Sequence, residues 1–329
     1  MTATMSPRQE TSLNARLTRS LSGEPSSLPQ VCATAPIDRA DRFRTLLHIY
    51  DLLLGPLPEE GGEARLATHP AITGLKWRLE NQWLEELSEY ASTVDGVSEA
   101  NAVEGMRILA ARDRLPKVYK WLAKEADREQ LAAFVQAEGG PDGGFEDLVA
   151  CATVGLSGEA KLELARNYWD EMGSGVAERA HSELHRQTLA ALGVANPIDS
   201  AAMTTSGLER AALGGLLASN HWLQPEMLGA LGMVELQAGP RCKLVVNAMT
   251  RLRMPEEAIR FYQTHARIDP KHGTDWLALV VRPTLRKNPA WHHRVLRGAR
   301  WRLSVNDVFL DELHERLVSG AYVPVRRAA

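Results

Sequence analysis

Apolar residues recur at helical spacing through most of this chain. In "RADRFRTLLHIYDLLLG" (39–55) they fall three and four apart until Gly55 ends the pattern, as in an amphipathic helix with a glycine terminator. The same spacing predicts helices over 69–87 ("HPAITGLKWRLENQWLEEL"), around 101–115 ("NAVEGMRILAARDRL") and, past Pro116, over 117–138 ("KVYKWLAKEADREQLAAFVQAE"). Further helices are expected over 145–156, 158–191, 206–219, 225–251, 255–285 and 290–319, parted by "GLSG", "GVANP", "NHWLQP", "RMPEE" and "RKNP", clusters of turn-forming residues. "PEEGGEAR" and "GGPDGG" read as loops. Strand-like alternation is nowhere sustained, and no internal repeat is evident. The expectation is an all-α bundle, one domain over 39–329, with its core ligand helices at about 120–285. Residues 1–38, rich in Ser, Thr and Pro, read as a mobile N-terminal arm.

Composition narrows the setting. Of 329 residues, 44% are hydrophobic and 24% charged, and the formal net charge is −3. The chain can bury a substantial core, but its charge gives no electrostatic case for nucleic acid or an anionic membrane. No apolar run approaches the ~20 residues of a bilayer span, and the N-terminus lacks the order of a secretory signal. Cys32, Cys151 and Cys242 form neither a C-x-x-C pair nor an even framework, so they read as buried thiols in a reducing cytoplasm. There is no P-loop, no G-x-G-x-x-G after a strand and no G-x-S-x-G elbow.

What changes the picture is polar chemistry on apolar stripes. Leu131, Phe134, Val135 and Glu138 follow i, i+3, i+4, i+7, so a carboxylate takes the last place on a core-facing stripe; a surface glutamate at a frayed helix end is the plainer alternative. In "NYWDEMGSGVAERAHSELH", Glu171 and His181 are ten apart, within roughly 80° on a regular helix. Gly173 and Gly175 between them point to a bulge, a close approach or a ligand, since each weakens a helix by about 1 kcal/mol relative to alanine. Glu178 and His185 share part of that face and stand as alternatives. Leu228, Leu231 and Glu235 place another carboxylate on an apolar stripe. In "RFYQTHARIDPKH", Ile259 and Tyr262 lead to His265, Asp269 and His272, three polar side chains within roughly 40° of one another. Pro270 lacks a donor and predicts a kink beside Asp269.

Charges are rarely buried unless they are paired or bound to metal. Four carboxylates and three imidazoles aimed inward from four helices would repel one another without cations. A dinuclear metal centre resolves this, as in bundle proteins with inward-facing Glu and His. Oxygen and nitrogen donors without thiolate suit iron or manganese better than structural zinc. Near the C-terminus, "NPAWHHRVLRGARWRL" reads as an amphipathic helix with a solvated basic face; Arg297, Arg300 or Arg302 as the anchor for a substrate carboxylate is the alternative. His292 and His293 point about 100° apart and are poorly placed to share a metal.

These motifs resemble the haem-oxygenase-like diiron oxidases and oxygenases. That family carries H-x-x-x-D-x-x-H on its third core helix, matched by His265, Asp269 and His272, and D-E-x-G-x-G followed by a ligand histidine on its second, matched by "DEMGSGVAERAH" with Glu171 and His181. The resemblance covers roughly residues 120–320. It is nearest to the branch containing the N-oxygenase domain of N-nitrosourea biosynthesis. There "EGGP" resembles the stretch supplying the first glutamate, which points to Glu138, with Glu146 its rival because this chain carries about two more helical turns before "KLELARNYWDE". Glu235 in "GMVELQAGP" sits where that branch has an extra carboxylate.

The resemblance implies a haem-oxygenase-like helical bundle that holds two Fe ions on Glu138, Glu171, His181, Glu235, His265, Asp269 and His272. It further implies O₂ as cosubstrate, an external reductant, a peroxo-diferric intermediate and a small-molecule amine- or amino-acid-derived substrate, with N-oxygenation as the reaction. Oxidative C–C cleavage, decarboxylation or desaturation at the same site is the alternative, and a non-catalytic helical binding module on the same scaffold is a second. A homodimer is a further expectation, since bundles of this type often pair.

Overall fold

Helices account for almost every segment that the computed structural model describes, namely residues 11–57, 62–91, 98, 100–113, 115–139, 144–195, 200 and 202–327. In order they are α1 (Leu13–Ser22), α2 (Leu28–Cys32), α3 (Arg39–Leu54), α4 (Pro70–Ala91), α5 (Ala102–Arg112), α6 (Lys117–Lys124), α7 (Arg128–Gly139), α8 (Phe145–Thr153), α9 (Glu159–Glu171), α10 (His181–Leu192), α11 (Thr205–Ala218), α12 (Gln224–Arg251), α13 (Glu256–Asp275), α14 (Arg282–Lys287) and α15 (His292–Val318). Among the described residues the β structure is one antiparallel bridge, Val194 to Arg326, and no helix is long and apolar enough to cross a membrane. The first ten residues, the first half of the expected "PEEGGEAR" loop (58–61) and most of "GGPDGG" (140–143) lie outside the described residues.

The long helix α12 is the spine. From Leu223 to Met233 every residue is buried, because α13, α15, α5 and α6 pack around it. Glycines set how near those neighbours come. A Cβ on Gly229 would lie 1.9 Å from the Val295 carbonyl oxygen, and one on Gly298 would lie 1.9 Å from that of Glu226, so α12 and α15 touch backbone to backbone. On the other flank, a Cβ on Gly273 would lie 2.9 Å from the Glu235 carbonyl oxygen, and one on Gly239 would lie 2.9 Å from Pro270 Cδ. This close approach of α12 to α13 places Glu235 opposite Asp269 and His272.

Three expected helices prove composite. The 117–138 helix divides into α6 and α7, where Asp127 accepts from the Gln130 amide at 2.8 Å and starts the second piece. The 158–191 helix divides at Gly173–Arg179. The 255–285 helix passes through a π-helical turn, Trp276–Val281, before α14. The kink expected beside Asp269 is replaced by a helix that runs past Pro270 to Asp275; the proline ring faces Gly239, where a missing side chain leaves it room.

The N-terminal expectation is corrected. Residues 13–32 are helical and packed, with Leu13, Leu17, Leu21 and Leu28 at most 4% exposed, each burial contributing about 1.5–3 kcal/mol. Leu13, Leu17 and Leu21 are four apart, with Leu28 seven further on, a single-residue-wide stripe in a Ser/Thr-rich context, too thin to register as periodicity. Their start is fixed from afar: buried Asp41 of α3 accepts from the amides of Leu13 (2.9 Å), Asn14 (3.0 Å) and Ile37 (3.0 Å), satisfying donors that a helix start leaves open.

Arg297 is likewise reassigned. With Arg294 it pairs with Glu226, whose side chain is fully buried, so it serves the α12–α15 contact; removing one member of such a set strands a buried charge.

Candidate metal centre

The two halves of the centre come from helices that the chain must bend sharply to bring together. Gly173, Ser174 and Gly175 all take positive φ (63°, 53° and 85°), a region that costs a residue with a side chain about 1–2 kcal/mol. A Cβ on Gly173 would meet the Arg179 carbonyl carbon at 2.5 Å. The two glycines therefore serve a tight reversal, and the ten-residue spacing works through that turn where a regular helix had been expected. Its result is direct: His181 Nδ1 lies 2.7 Å from Glu171 Oε2.

Two groups of donors meet there. Ligand atoms of Glu171, His181 and His265 lie within 4.8 Å of one another, and so do those of Glu171, Glu235 and His272. Glu171 belongs to both. Glu171, His181, Glu235, Asp269 and His272 are only 2–6% exposed, too buried for bare charges to be solvated. The His181 and His265 rings stand 4.4 Å apart.

Partners behind the donors set which atom faces inward. His265 Nδ1 donates to the Phe261 carbonyl at 3.0 Å, which leaves Nε2 free as a ligand. His272 Nε2 donates to Asp170 Oδ2 at 3.2 Å, which turns Nδ1 toward Glu235 Oε2, 3.6 Å away. Asn167 Nδ2 donates to Glu235 Oε1 at 2.5 Å. Asn167, Asp170 and Glu171 share one face of α9, so a single helix supplies a donor and the groups that orient two others, an arrangement typical of metal ligands. Asn167 and Asp170 were not singled out from the sequence, though their i, i+3, i+4 spacing with Glu171 is visible there.

The electrostatics show what the site lacks. Burial pushes the Glu171 carboxyl up to about 8, against help from His265. Asp269 is raised well above the carboxylate range by burial and by Glu235 and Glu171. Burial and the charge of His272 lower His181 to about 4. Burial would lower His272 too, but Glu235, Asp170 and Glu171 raise it to about 9. Without a cation, Glu171 and Asp269 hold on to their protons. His181 Nδ1, His272 Nδ1 and Asp269 Oδ2 are buried and make no hydrogen bond among the described residues. Orphaned donor atoms of oxygen and nitrogen type, converging without thiolate, fit iron.

Of the seven sequence candidates, Glu171, His181, Glu235, His265 and His272 fall in the two groups, and Asp269 lies beside them. Glu138 does not join either. Its Oε1 lies 3.6 Å from Arg210 Nη2 and accepts from the Tyr119 hydroxyl at 3.3 Å, and its charge acts on Tyr119, Tyr262 and Cys242. The rival Glu146, on α8, acts instead on Glu171 and His181. Both glutamates line a cavity of about 830 Å³ that opens onto the centre, a size suited to a small molecule. The alternatives Glu178 and His185 stay outside both groups.

Residues 133–307, more than half the chain, match the model of the iron-containing redox enzymes. The chain belongs to that family, and its fold is the haem-oxygenase-like helical bundle. Among solved structures it resembles a CADD-like protein of unknown function from Nostoc punctiforme, with 19% identity and a TM-score of 0.50 over 68% of this chain and 96% of that one. No curated protein matches.

Proposed function

We propose that this iron-containing redox enzyme is a non-haem diiron oxygenase that oxidises a small amine- or amino-acid-derived metabolite at nitrogen. The observation carrying the diiron reading is the sharing of Glu171 between two separate donor groups. One group alone would describe a mononuclear site; two that share Glu171 would hold two ions, with Glu171 a ligand available to each. His181 and His265 would complete one ion, and Glu235 and His272 the other, with Asp269 and Glu146 as the further carboxylates within reach.

Bound iron would supply the electrons for reducing O₂ at the floor of the cavity, with an external reductant restoring the ferrous state. The chain's own groups do the rest. Asp170 and the Phe261 carbonyl hold the tautomers of His272 and His265, so that lone pairs face the ions. Asn167 fixes one oxygen of Glu235 and leaves the other free. Glu235 supports the N-oxygenation reading, because it adds a carboxylate to the triplet and Glu171–His181 set; that makes the second group as oxygen-rich as the first is nitrogen-rich.

Anaerobic Fe(II) loading followed by O₂ exposure tests the proposal. About two irons per chain and consumption of O₂ are expected, with an oxidised nitrogen in the product when candidate amines are supplied. A chain that takes up no iron would return the reading to a binding module, and a cleaved or desaturated carbon skeleton would move it to the other oxidative chemistry.

A further inference from the structure

The cavity wall holds a polar group that the metal centre does not use. Tyr262 of α13 lines the cavity, one turn before His265 and on the same helical face. It is only 2% exposed, and its hydroxyl is buried with no hydrogen bond among the described residues. Burial and the charge of Glu138 beside it raise that hydroxyl well above the usual phenol range, so it keeps its proton as a donor. Its neighbours are committed to one another. The Tyr119 hydroxyl donates to Glu138 Oε1 at 3.3 Å, and Arg210 Nη2 lies 3.6 Å from the same oxygen. Arg210 Nη1 also donates to the Glu138 carbonyl at 2.6 Å.

A buried donor that makes no bond is costly, and either water or a ligand must complete it. A charged ligand group fits badly at this point. Glu138 and Arg210 already face each other, so an anion beside Tyr262 would meet the carboxylate and a cation would meet the guanidinium, each with its own desolvation to offset. A neutral oxygen meets neither objection. We infer that the Tyr262 hydroxyl donates to a neutral oxygen of the substrate, an alcohol or an amide carbonyl, and so selects amines that carry such a group. His265 follows about 5 Å further along the α13 axis, so the nitrogen to be oxidised and the neutral oxygen sit at two ends of one small molecule. This rests on the function proposed above and narrows its substrate class.

Proton NMR titration of the full chain loaded with Mn(II) tests this, with terminal aminobutanol, pentylamine and γ-aminobutyrate as probes. Aminobutanol should bind about three- to tenfold more tightly than pentylamine, the span of one neutral hydrogen bond, and γ-aminobutyrate no more tightly than pentylamine. Mn(II) should broaden the methylene next to nitrogen more than the one next to oxygen. Tyr262→Phe should abolish the preference at unchanged manganese content, and its melting temperature should not fall, because the hydroxyl holds nothing within the fold. Four results overturn the proposal and leave the hydroxyl to water: no preference in the wild type, the same preference in Tyr262→Phe, tightest binding by γ-aminobutyrate, or stronger broadening at the oxygen end. A lowered melting temperature overturns it too, by giving the hydroxyl a partner within the fold. A wild type that retains no manganese counts against the metal centre only; the affinity ranking on metal-free protein then decides the role of Tyr262.

Discussion

His181 Nδ1 stands 2.7 Å from Glu171 Oε2, yet it makes no hydrogen bond among the described residues. On the proposed function, two buried groups that close, one on each side of a tight turn, would both bind one cation. Glu171→Ala should therefore cost more metal than any other single ligand change, because both groups lose a member. Iron analysis after anaerobic loading should give less than half of wild-type content for Glu171→Ala, with His181→Ala and His272→Ala intermediate. Equal losses from all three would remove the bridging role.

Binding should release protons. With Glu171 raised to about 8, His272 to about 9 and Asp269 raised by burial, all three carry a proton at neutral pH, and metal must displace roughly two of them, or three where Asp269 also ligates. Calorimetry at pH 7 in buffers of different ionisation enthalpy should report that number, and affinity should climb steeply toward pH 9. Proton-independent binding would contradict the burial argument.

The same shifts set how metal-free stability depends on pH. The folded state holds protons that the unfolded state, with ordinary Glu near ~4.3 and His near ~6.5, has lost. Stability from Glu171 thus declines as pH rises toward 8, and that from His272 declines as pH rises through 9. His181, lowered to about 4, acts oppositely, but its contribution is complete by about pH 6.5. The melting temperature of the EDTA-treated protein should fall between pH 6.5 and 9, while the iron-loaded protein stays nearly level. A metal-free curve that rises across that window would show the sign to be wrong.

The reversal after Glu171 should tolerate no side chain at its first glycine. Gly173→Ala meets both left-handed strain and the Arg179 backbone at 2.5 Å, so it should lower stability by about 1–3 kcal/mol and reduce iron content. Gly74→Ala, on α4 with nothing within 4 Å, should be neutral or stabilising by up to ~1 kcal/mol. Thermal melts of the two variants, run together, separate this local argument from a general intolerance of alanine.

The orienting residues should act through affinity. Asp170→Asn and Asn167→Ala leave every ligand in place, and each should weaken iron binding by roughly 10–100-fold with little change in secondary structure. Competition with a chelator of known affinity measures it; unaltered binding would show that neither residue orients a ligand.

Much of this was legible before the fold was known. Helical period alone located α3, α4, α11, α12 and α15 within a few residues, and the triplet on α13 revealed itself because His265, Asp269 and His272 continue an apolar stripe. The reversal at Gly173–Gly175 was hidden: two glycines mark strain, but whether they bulge a helix or end it depends on what Arg179 meets. The first-helix ligand turned on the partner of Glu138, and Arg210 is 72 residues away in sequence. Packing of α1 depended on Asp41, a cap supplied from another helix, which no local pattern contains.

A crystal of Fe(II)-loaded protein, grown anaerobically and measured at the iron absorption edge, tests the central claim most directly. Two anomalous peaks are expected, one beside His181 and His265, the other beside Glu235 and His272, with the Glu171 carboxylate touching both. A single peak, or iron bound away from Glu171, would contradict it.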